Sequence, residues 1–301
     1  MSQTLRPLFR SAASLTWLKG IAFGLILGTV GARALADSAY QKGPDPTVAA
    51  LEGTGPWAIA NTKLPSSSEY GAATTVFYPK DRSAGSFGLV VLCPGFVSAA
   101  SLYQGVAQRI ASHGFVVVTV STKSLFDQPK ARGAQMIAVM KAVLAQNKTA
   151  AVAYAGQVDE QRVAFMGHSA GGSGTFYAAA SNPQLKALVG MMPGEPGTNF
   201  TPFAGIRIPT LVLTGEKDAL ASSWARPYFK SLDPSLPAAF IELAGANHLA
   251  SWTTSSQAAQ GKVAKYATAW LKRFVDEDTR YTSFVSTPAP DMSASAFNGS
   301  Y

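Results

Sequence analysis

The chain has 301 residues, 47% of them hydrophobic, which is enough for one sizeable folded core and excludes general disorder. Its formal net charge of +8 falls to +4 without residues 1–36, because those residues include four basic and no acidic side chains. The remaining basic residues are scattered rather than clustered, which argues against a nucleic-acid-binding protein.

The first 36 residues have the order of a secretory signal peptide. Basic residues come first, an apolar run follows at residues 20–30, and Ala34-Leu35-Ala36 has the small-x-small form of a cleavage site. The apolar run is too short for a membrane span of about 20 residues, which disfavours the alternative of an uncleaved N-terminal anchor. We therefore expect a protein secreted to the periplasm or the medium, with a mature N-terminus at Asp37 and no membrane anchor.

Strand and helix patterns alternate between residues 74 and 275. The strand patterns are short, almost continuously apolar and bounded by Gly, Pro or Asn, which is typical of strands buried on both faces of a parallel sheet. They lie at residues 74–78, 89–93, 115–120, 163–166, 187–191, 210–214 and 239–243. Helical patterns lie at residues 101–112, 131–146, 170–181, 221–231 and 257–275.

This alternation predicts a single α/β domain over residues 37–281, with a central, mostly parallel sheet flanked by helices. The C-terminal tail, residues 282–301, is rich in Ser, Thr, Pro and Ala. We expect that tail to be poorly ordered or loosely docked.

Cysteine and histidine usage gives no indication of a disulfide or a metal site. Cys93 is the only cysteine and ends an apolar run, so we interpret it as a buried core thiol. The three histidines lie far apart in the sequence and lack zinc-ligand spacing. The sequence therefore predicts no metal and no cofactor.

The strongest chemical motif is Gly-His-Ser-Ala-Gly at residues 167–171. It follows a predicted strand and precedes a predicted helix, which is the context of a nucleophile elbow with Ser169 as the nucleophile. A plain small-residue turn is the structural alternative. A phosphate-binding loop is disfavoured, because Tyr177 stands where the dinucleotide pattern needs its third glycine and no lysine follows the glycines.

A serine nucleophile needs a histidine base. In α/β-hydrolases the acid and then the base follow the nucleophile along the chain, and His248 is the only histidine after Ser169. His248 lies in a loop after a predicted strand, where open α/β sheets place their chemistry. We interpret His168 as structural and expect His113 at the opposite edge of the sheet.

The acid should lie between Ser169 and His248. The candidates are Glu195, Glu216, Asp218, Asp233 and Glu242. Asp218 follows a predicted strand and is therefore expected at the catalytic edge. Asp233 lies near a helix end, where a solvated or capping role is favoured, and Glu242 lies within a strand. Asp218 is the predicted acid.

The oxyanion of an ester transition state needs two backbone N–H donors. One is expected from Ala170, the residue after the nucleophile, and the other from the loop after the third strand of the hydrolase sheet. That loop contains Phe96, whose N–H is our candidate. The phenyl ring of Phe96 would line the acyl or aryl subsite.

With these residues in place, the chain resembles the bacterial cutinase and polyester hydrolase family, whose members include enzymes that degrade poly(ethylene terephthalate). The resemblance covers residues 42–281. It is carried by sequence blocks at residues 43–47, 94–96, 111–117, 127–129, 167–172, 198–200, 209–218, 270–274 and 278–281. It implies the α/β-hydrolase fold, ester hydrolysis, and a triad and oxyanion hole at the residues selected above.

The chain departs from the family at several site positions. The family usually has Met where this chain has Ala170, Tyr where it has Phe96, and a substrate-clamping Trp at or near Gly194; the family's C-terminal disulfide is also absent. We place the substrate-binding residues at Phe96, Gly194 and Leu220. Because Gly194 lacks a side chain and Glu195 is negative, we expect good activity on short acyl esters and aliphatic polyesters and weak activity on aromatic polyester.

Taken together, the sequence predicts a secreted serine ester hydrolase of the cutinase or polyesterase type, which works through an acyl-enzyme. Its partner is an ester substrate, with a polyester or cutin-like polymer surface as a candidate, and we expect a monomer. Three alternatives stay open: a general carboxylesterase for small soluble esters, a peptide hydrolase, and a non-catalytic binding protein of the same fold. A complete triad weighs against the last.

Overall fold

The structure is a computed structural model that describes residues 39–195, 203–219 and 222–301. The predicted signal peptide at residues 1–36 and the predicted substrate-binding residue Leu220 lie outside the described residues, as does the family block at residues 198–200. No helix within the described ranges has both the length and the apolar character needed to cross a bilayer.

A nine-stranded sheet runs through the described part of the chain, in the spatial order β1-β2-β4-β3-β5-β6-β7-β8-β9. Strands β3 to β8 are mutually parallel, whereas β2 and β9 run antiparallel to their neighbours. The strands are β1 Ile59–Leu64, β2 Thr74–Pro79, β3 Phe87–Cys93, β4 Phe115–Thr119, β5 Val158–His168, β6 Ala187–Met191, β7 Thr210–Gly215, β8 Ala238–Leu243 and β9 Met292–Asn298. All seven predicted strands are present, and the α/β-hydrolase architecture is confirmed.

Helices cover both faces of this sheet. They are α1 Val48–Glu52, α2 Gln104–Ser112, α3 Pro129–Asn147, α4 Ala170–Ala179, α5 Ser222–Ser231, α6 Gln257–Val275 and α7 Thr282–Ser286. Helix α6 begins and ends where the sequence predicts. Its start is fixed by Ser256, whose side chain accepts a hydrogen bond from the N–H of Ala259 and so satisfies one of the free donors of the first turn.

The apolar strands divide the core into two layers. Successive side chains of a strand point to opposite faces, so Leu89 and Val91 pack into one cluster, while Val90 and Leu92 pack into the other. The first cluster is completed by apolar residues of α3, α4 and α5, and the second by those of α2 and α6. A strand apolar at every position is therefore required, as the continuous runs predicted.

The C-terminal tail differs from its expected loose state. Helix α7 and strand β9 both form in it, and β9 pairs antiparallel with β8 over Met292–Asn298. Strand β8 would otherwise present an open edge to solvent, and pairing with β9 satisfies its backbone groups. The Asp291 carboxylate, at the start of β9, accepts hydrogen bonds from Lys265 Nζ (2.6 Å) and Tyr266 Oη (2.5 Å) of α6. Composition missed this strand because its side chains are mostly Ser and Ala.

The carboxyl ends of the parallel strands meet at one edge of the sheet. The register pairs Cys93 with Gly167, His168 with Met191, and Gly215 with Leu243. The loops that leave this edge carry the residues singled out in the sequence: Phe96 after β3, Ser169 after β5, Gly194 after β6, Asp218 after β7 and His248 after β8. The fold thus brings five loops together at the carboxyl ends of the parallel strands.

Candidate active site

The turn between β5 and α4 holds Ser169 in a strained backbone conformation. Its φ is +52°, in the left-handed region that is costly for a residue with a side chain. The turn is tight enough that a Cβ at Gly167 would overlap the carbonyl of Gly171, and a Cβ at Gly171 would overlap the carbonyl of Pro94. Glycines at both positions are therefore required by packing, and the serine stands at the N-terminus of α4, whose dipole favours developing negative charge.

His248 and Asp218 lie in direct contact. The imidazole Nδ1 lies 3.0 Å from both Oδ1 and Oδ2 of the carboxylate, and Asp218 is 2% exposed. The two loops are fastened together by a bond from the N–H of Lys217 to the carbonyl of Ala246 (2.8 Å). An ionised carboxylate can only accept, so in the neutral imidazole Nδ1 carries the proton and the lone pair lies on Nε2, which is the tautomer that a general base requires.

The rejected acids are engaged elsewhere. Glu216 accepts a hydrogen bond from the N–H of Gly245 at 2.7 Å. Asp233 accepts from the N–H and hydroxyl of Ser235, which is the local turn role expected near a helix end. Glu242 lies within β8. These three carboxylates hold loops or strands rather than the imidazole.

The loop after β3 lies against the elbow at the place expected for an oxyanion hole. A Cβ on Gly95 would lie 3.0 Å from the Cβ of Ser169. Across residues 39–195, 203–219 and 222–301, no acceptor pairs with the backbone N–H of Phe96 or of Ala170. The Phe96 ring is half-buried and packs edge to face on Phe126, with 5.8 Å between centroids. Both predicted donors are thus free to receive a ligand oxygen.

Gly194 lies beside the nucleophile. Its N–H donates to the carbonyl of Ser169 at 3.3 Å, and its own carbonyl accepts from the hydroxyl of Ser173 at 3.0 Å. These bonds attach the loop after β6 to the elbow. The role of Gly194 as a residue that binds substrate stays a prediction.

Glu195, the negative residue next to Gly194, is buried. It is 2% exposed, and its carboxylate accepts hydrogen bonds from the hydroxyls of Tyr177 and Tyr228. Burial and the neighbouring carboxylate raise the pKa of Tyr228 far above its usual value, so the phenol keeps its proton and stays a donor. Glu195 therefore ties the loop after β6 to helices α4 and α5, which carry Tyr177 and Tyr228.

An aromatic residue missed in the sequence stands next to Gly194. The Cδ1 atom of Trp224, in α5, lies 3.5 Å from the position that a Cβ on Gly194 would occupy. The indole is half-buried and packs on the ring of Tyr228, with 6.2 Å between the ring centroids. No sequence pattern marks Trp224, because it lies thirty residues after Gly194 and approaches it only through the packing of α5.

The other two histidines are buried. His113 precedes β4 at the opposite edge of the sheet, and burial, then the charge of Lys272, lowers its pKa to about 4. His168 is 1% exposed, and burial, then the nearby His248, lowers its pKa to about 3. Cys93 is buried as predicted, and burial raises the pKa of its thiol to about 12. Of the three histidines, His248 is the one that is not fully buried.

Comparison with known proteins identifies the family of the chain. Residues 34–300 match the PET hydrolase-like family, where PET denotes poly(ethylene terephthalate). The chain is 36% identical to the bis(hydroxyethyl) terephthalate hydrolase of Streptomyces coelicolor, over 98% of this chain and 93% of that protein. It is also 36% identical to cutinase 2 of Thermobifida cellulosilytica, over 83% and 92% of the two chains, and to cutinase cut1 of Thermobifida fusca, over 87% and 79%.

The family match spans most of the chain, and these identities hold over most of each relative. Both findings agree with the α/β-hydrolase sheet and with the resemblance that the sequence blocks indicated. The chain therefore belongs to the PET hydrolase-like family, a family of ester-cleaving enzymes.

Proposed function

We propose that this enzyme hydrolyses carboxylic esters through an acyl-enzyme on Ser169, with His248 as general base and Asp218 as the acid that orients it. The observation that carries the proposal is the pair of 3.0 Å contacts between His248 Nδ1 and the buried Asp218 carboxylate. The ring of His248 packs on that of His168, the residue before the strained Ser169, with 4.7 Å between the ring centroids. A binding protein would need neither the strain nor the paired carboxylate.

The chemistry follows from these groups. His248 Nε2 takes the proton of the Ser169 hydroxyl as Oγ attacks the ester carbonyl. The N–H groups of Phe96 and Ala170 receive the oxyanion, and the buried Asp218 stabilises the imidazolium that forms. The intermediate collapses when His248 returns the proton to the leaving alcohol. Water then repeats the sequence on the acyl-enzyme and releases the acid.

An apolar rim supports a preference for apolar esters. Four of the five large hydrophobic side chains exposed among the described residues lie beside candidate site residues, namely Val97, Leu125, Phe126 and Leu249. Val97 follows Phe96 and donates its N–H to the Leu125 carbonyl at 2.8 Å. Exposed apolar clusters of this kind mark binding surfaces. Because the relatives include cutinases and a terephthalate ester hydrolase, we assign polyester or cutin-like substrates to this rim.

A carboxylesterase restricted to small soluble esters is the second candidate, favoured by Gly194, which gives the site no side chain at this position. Rates on p-nitrophenyl esters of increasing chain length, compared with acid release from polyester films, separate the two. Activity on films as well as on short esters supports the polyesterase. Activity on short esters alone supports the small-ester enzyme.

The class of the enzyme is tested directly by a fluorophosphonate probe. The probe should label wild-type enzyme and leave Ser169→Ala unlabelled, whereas labelling of neither protein would contradict a serine hydrolase. We further propose export with cleavage after Ala36 and a monomeric mature enzyme. Mass spectrometry of secreted protein should give Asp37 as the first residue, and a retained Met1 would contradict cleavage.

A further inference from the structure

A buried chain of polar side chains lies beneath the proposed triad, and the mechanism above does not use it. His168 Nε2 lies 2.7 Å from the backbone carbonyl oxygen of His248. His168 Nδ1 lies 2.7 Å from the hydroxyl of Tyr103. That hydroxyl also receives the N–H of Gly95 at 3.1 Å and the indole N–H of Trp252 at 3.0 Å.

The proton positions in this chain are fixed by its ends. The His248 carbonyl can only accept, so His168 Nε2 carries a proton and donates it. The N–H groups of Gly95 and Trp252 can only donate, so they use the lone pairs of the Tyr103 oxygen and its own proton must point elsewhere. It points to Nδ1 of His168, which is the unprotonated nitrogen of a neutral ring.

The surroundings of His168 keep the ring neutral. The titratable groups that face it are His248, whose ring centroid lies 4.7 Å away, Tyr103, and Asp218 farther off. Burial also raises the pKa of Tyr103, so the phenol stays protonated. Every member of the chain is thus held in one protonation state and one direction of donation.

These hydrogen-bonded side chains join three loops of the site. His168 belongs to the elbow, Gly95 precedes the proposed oxyanion donor Phe96, and His248 carries the proposed base. Trp252 adds a second tie from the loop after β8. The close fit leaves no space for a side chain at Gly95, where a Cβ would lie 2.9 Å from His168 Nδ1.

We propose that His168 and Tyr103 are positioning residues, which set the backbone of His248, and hence its imidazole, relative to Ser169 and Asp218. The inference rests on the proposed function, because it assigns a role to residues around that same triad. Neither residue touches substrate: both are buried, at 1% and 0% exposure. They act through the backbone carbonyl of His248, which accepts a hydrogen bond from the Nε2–H of His168.

Two substitutions at one position separate the two hydrogen bonds. A glutamine amide reaches about as far as Nε2, so His168→Gln keeps a donor for the His248 carbonyl. An asparagine oxygen lies near Nδ1, so His168→Asn keeps an acceptor for Tyr103 but loses the donor to His248. Tyr103→Phe removes one oxygen and leaves the ring. Tyr154→Phe is the matched control, since Tyr154 is equally buried and bonds Gln146 away from the site.

The measurements are the rate of fluorophosphonate labelling, kcat on p-nitrophenyl butyrate and the pH dependence of both. We expect His168→Asn and Tyr103→Phe to lower the labelling rate and kcat by about 10- to 100-fold, the scale of a misplaced catalytic group. Tyr103→Phe should be more damaging than His168→Gln, because it also leaves the N–H groups of Gly95 and Trp252 without their acceptor. The pH profiles of His168→Asn and Tyr103→Phe should differ from that of wild type, because the imidazole no longer keeps its place beside Asp218. His168→Gln and Tyr154→Phe should stay within about three-fold of wild type, in line with a preserved geometry.

Several results would overturn the positioning role. One is a folded His168→Asn enzyme with wild-type rate and pH profile, and another is His168→Gln impaired as strongly as His168→Asn. If neither His168→Asn nor Tyr103→Phe folds, the hydrogen bonds of His168 and Tyr103 are needed for folding and the proposal is wrong. If wild-type enzyme is not labelled at Ser169, the proposed function fails and the positioning role fails with it. A labelled wild type with unaffected variants overturns the positioning role alone.

Discussion

The imidazole of His248 lies 3.0 Å from both carboxylate oxygens of Asp218, while Asp233 accepts hydrogen bonds from its own turn. The first prediction concerns the triad that this contact completes. Ser169→Ala should keep the fold and lower kcat by about 10⁴- to 10⁶-fold, and adding His248→Ala should change little, because the groups act as a unit.

The acid has its own internal control. Asp218→Asn should lower kcat by about 10⁴-fold, since an amide can hold the imidazole in the wrong tautomer. The same substitution at Asp233 should leave kcat within about two-fold, the scatter expected for a surface change. Steady-state kinetics on p-nitrophenyl butyrate compares them. Greater damage from Asp233→Asn would show that the acid has been assigned to the wrong residue.

The second prediction concerns the pH dependence of activity. A histidine base must be neutral, so kcat/KM should fall as the medium is acidified through the range of about pH 7 to 6 in which imidazoles gain a proton. The labelling rate with fluorophosphonate should fall in parallel, while intrinsic fluorescence confirms that the protein is still folded. A rate that stays flat from about pH 8 to 5 would exclude a histidine base.

The third prediction concerns the pH dependence of stability. The pKa values of His113 and His168 are lowered to about 4 and about 3 in the folded protein, chiefly by burial. In the unfolded chain a histidine binds its proton near pH 6.5, so between that pH and the folded values the unfolded state holds more protons. The free energy of unfolding should therefore fall as pH falls below about 6.5, by up to about 1.4 kcal/mol per pH unit for each histidine.

Denaturant unfolding at several pH values measures this slope. His113→Gln removes one of the two groups and lies far from the triad, so it should make the dependence shallower between about pH 6 and 4.5, where only His168 of this pair still contributes. An unchanged slope in His113→Gln would mean that His113 is protonated in the folded protein.

The fourth prediction concerns the C-terminal strand. The Asp291 carboxylate accepts from Lys265 Nζ at 2.6 Å and from Tyr266, so it ties β9 to α6. Asp291→Asn should lower the free energy of unfolding by about 1 to 3 kcal/mol, the usual result when partners of a charged hydrogen bond are left unmatched. Asp45→Asn is the control, because Asp45 pairs with Arg280 at the surface and its loss should cost little. Equal, negligible effects would mean that the Asp291 contacts contribute no stability.

Much of the scaffold could be predicted because its cause is local. Continuous runs of Val, Leu and Ile are required where both faces of a strand are covered, and such runs mark β3 to β8. Ser169, Asp218 and His248 could be selected because chain order and strand ends restrict the choice. Strand β1 was missed, since Ile59–Leu64 is a half-exposed edge strand with three consecutive polar residues at 61–63.

The features that escaped prediction depend on contacts between distant residues. The hydrogen bond between Trp252 and Tyr103 joins positions 149 residues apart, and nothing near either residue indicates it. His168 reads as a structural residue of the elbow until its ring nitrogens are seen to reach Tyr103 and the carbonyl of His248. The same is true of Trp224, which reaches Gly194 only when α5 packs on the sheet.

The last prediction concerns aromatic polyester. An indole against an aromatic acid unit contributes roughly 0.5 to 1.5 kcal/mol beyond its buried area, which is about a two- to twelve-fold effect on kcat/KM. Gly194 provides no such ring, but the indole of Trp224 lies beside it. We therefore expect Trp224→Ala to lower hydrolysis of aromatic polyester film two- to twelve-fold and to leave p-nitrophenyl butyrate within about two-fold.

A second pair of variants tests whether the two positions share one space. Gly194→Trp alone must compete with Trp224, whereas Gly194→Trp combined with Trp224→Ala gives the new indole room, so the gain on aromatic film should be larger in the double variant. Trp57→Ala, which removes a half-buried indole packed on Phe87 at the start of β3, away from the catalytic edge, controls for lost stability. If Trp224→Ala and Trp57→Ala affect film hydrolysis equally, Trp224 does not contact the polymer and the aromatic contact lies elsewhere, with Phe96 and Trp252 as the residues to test next.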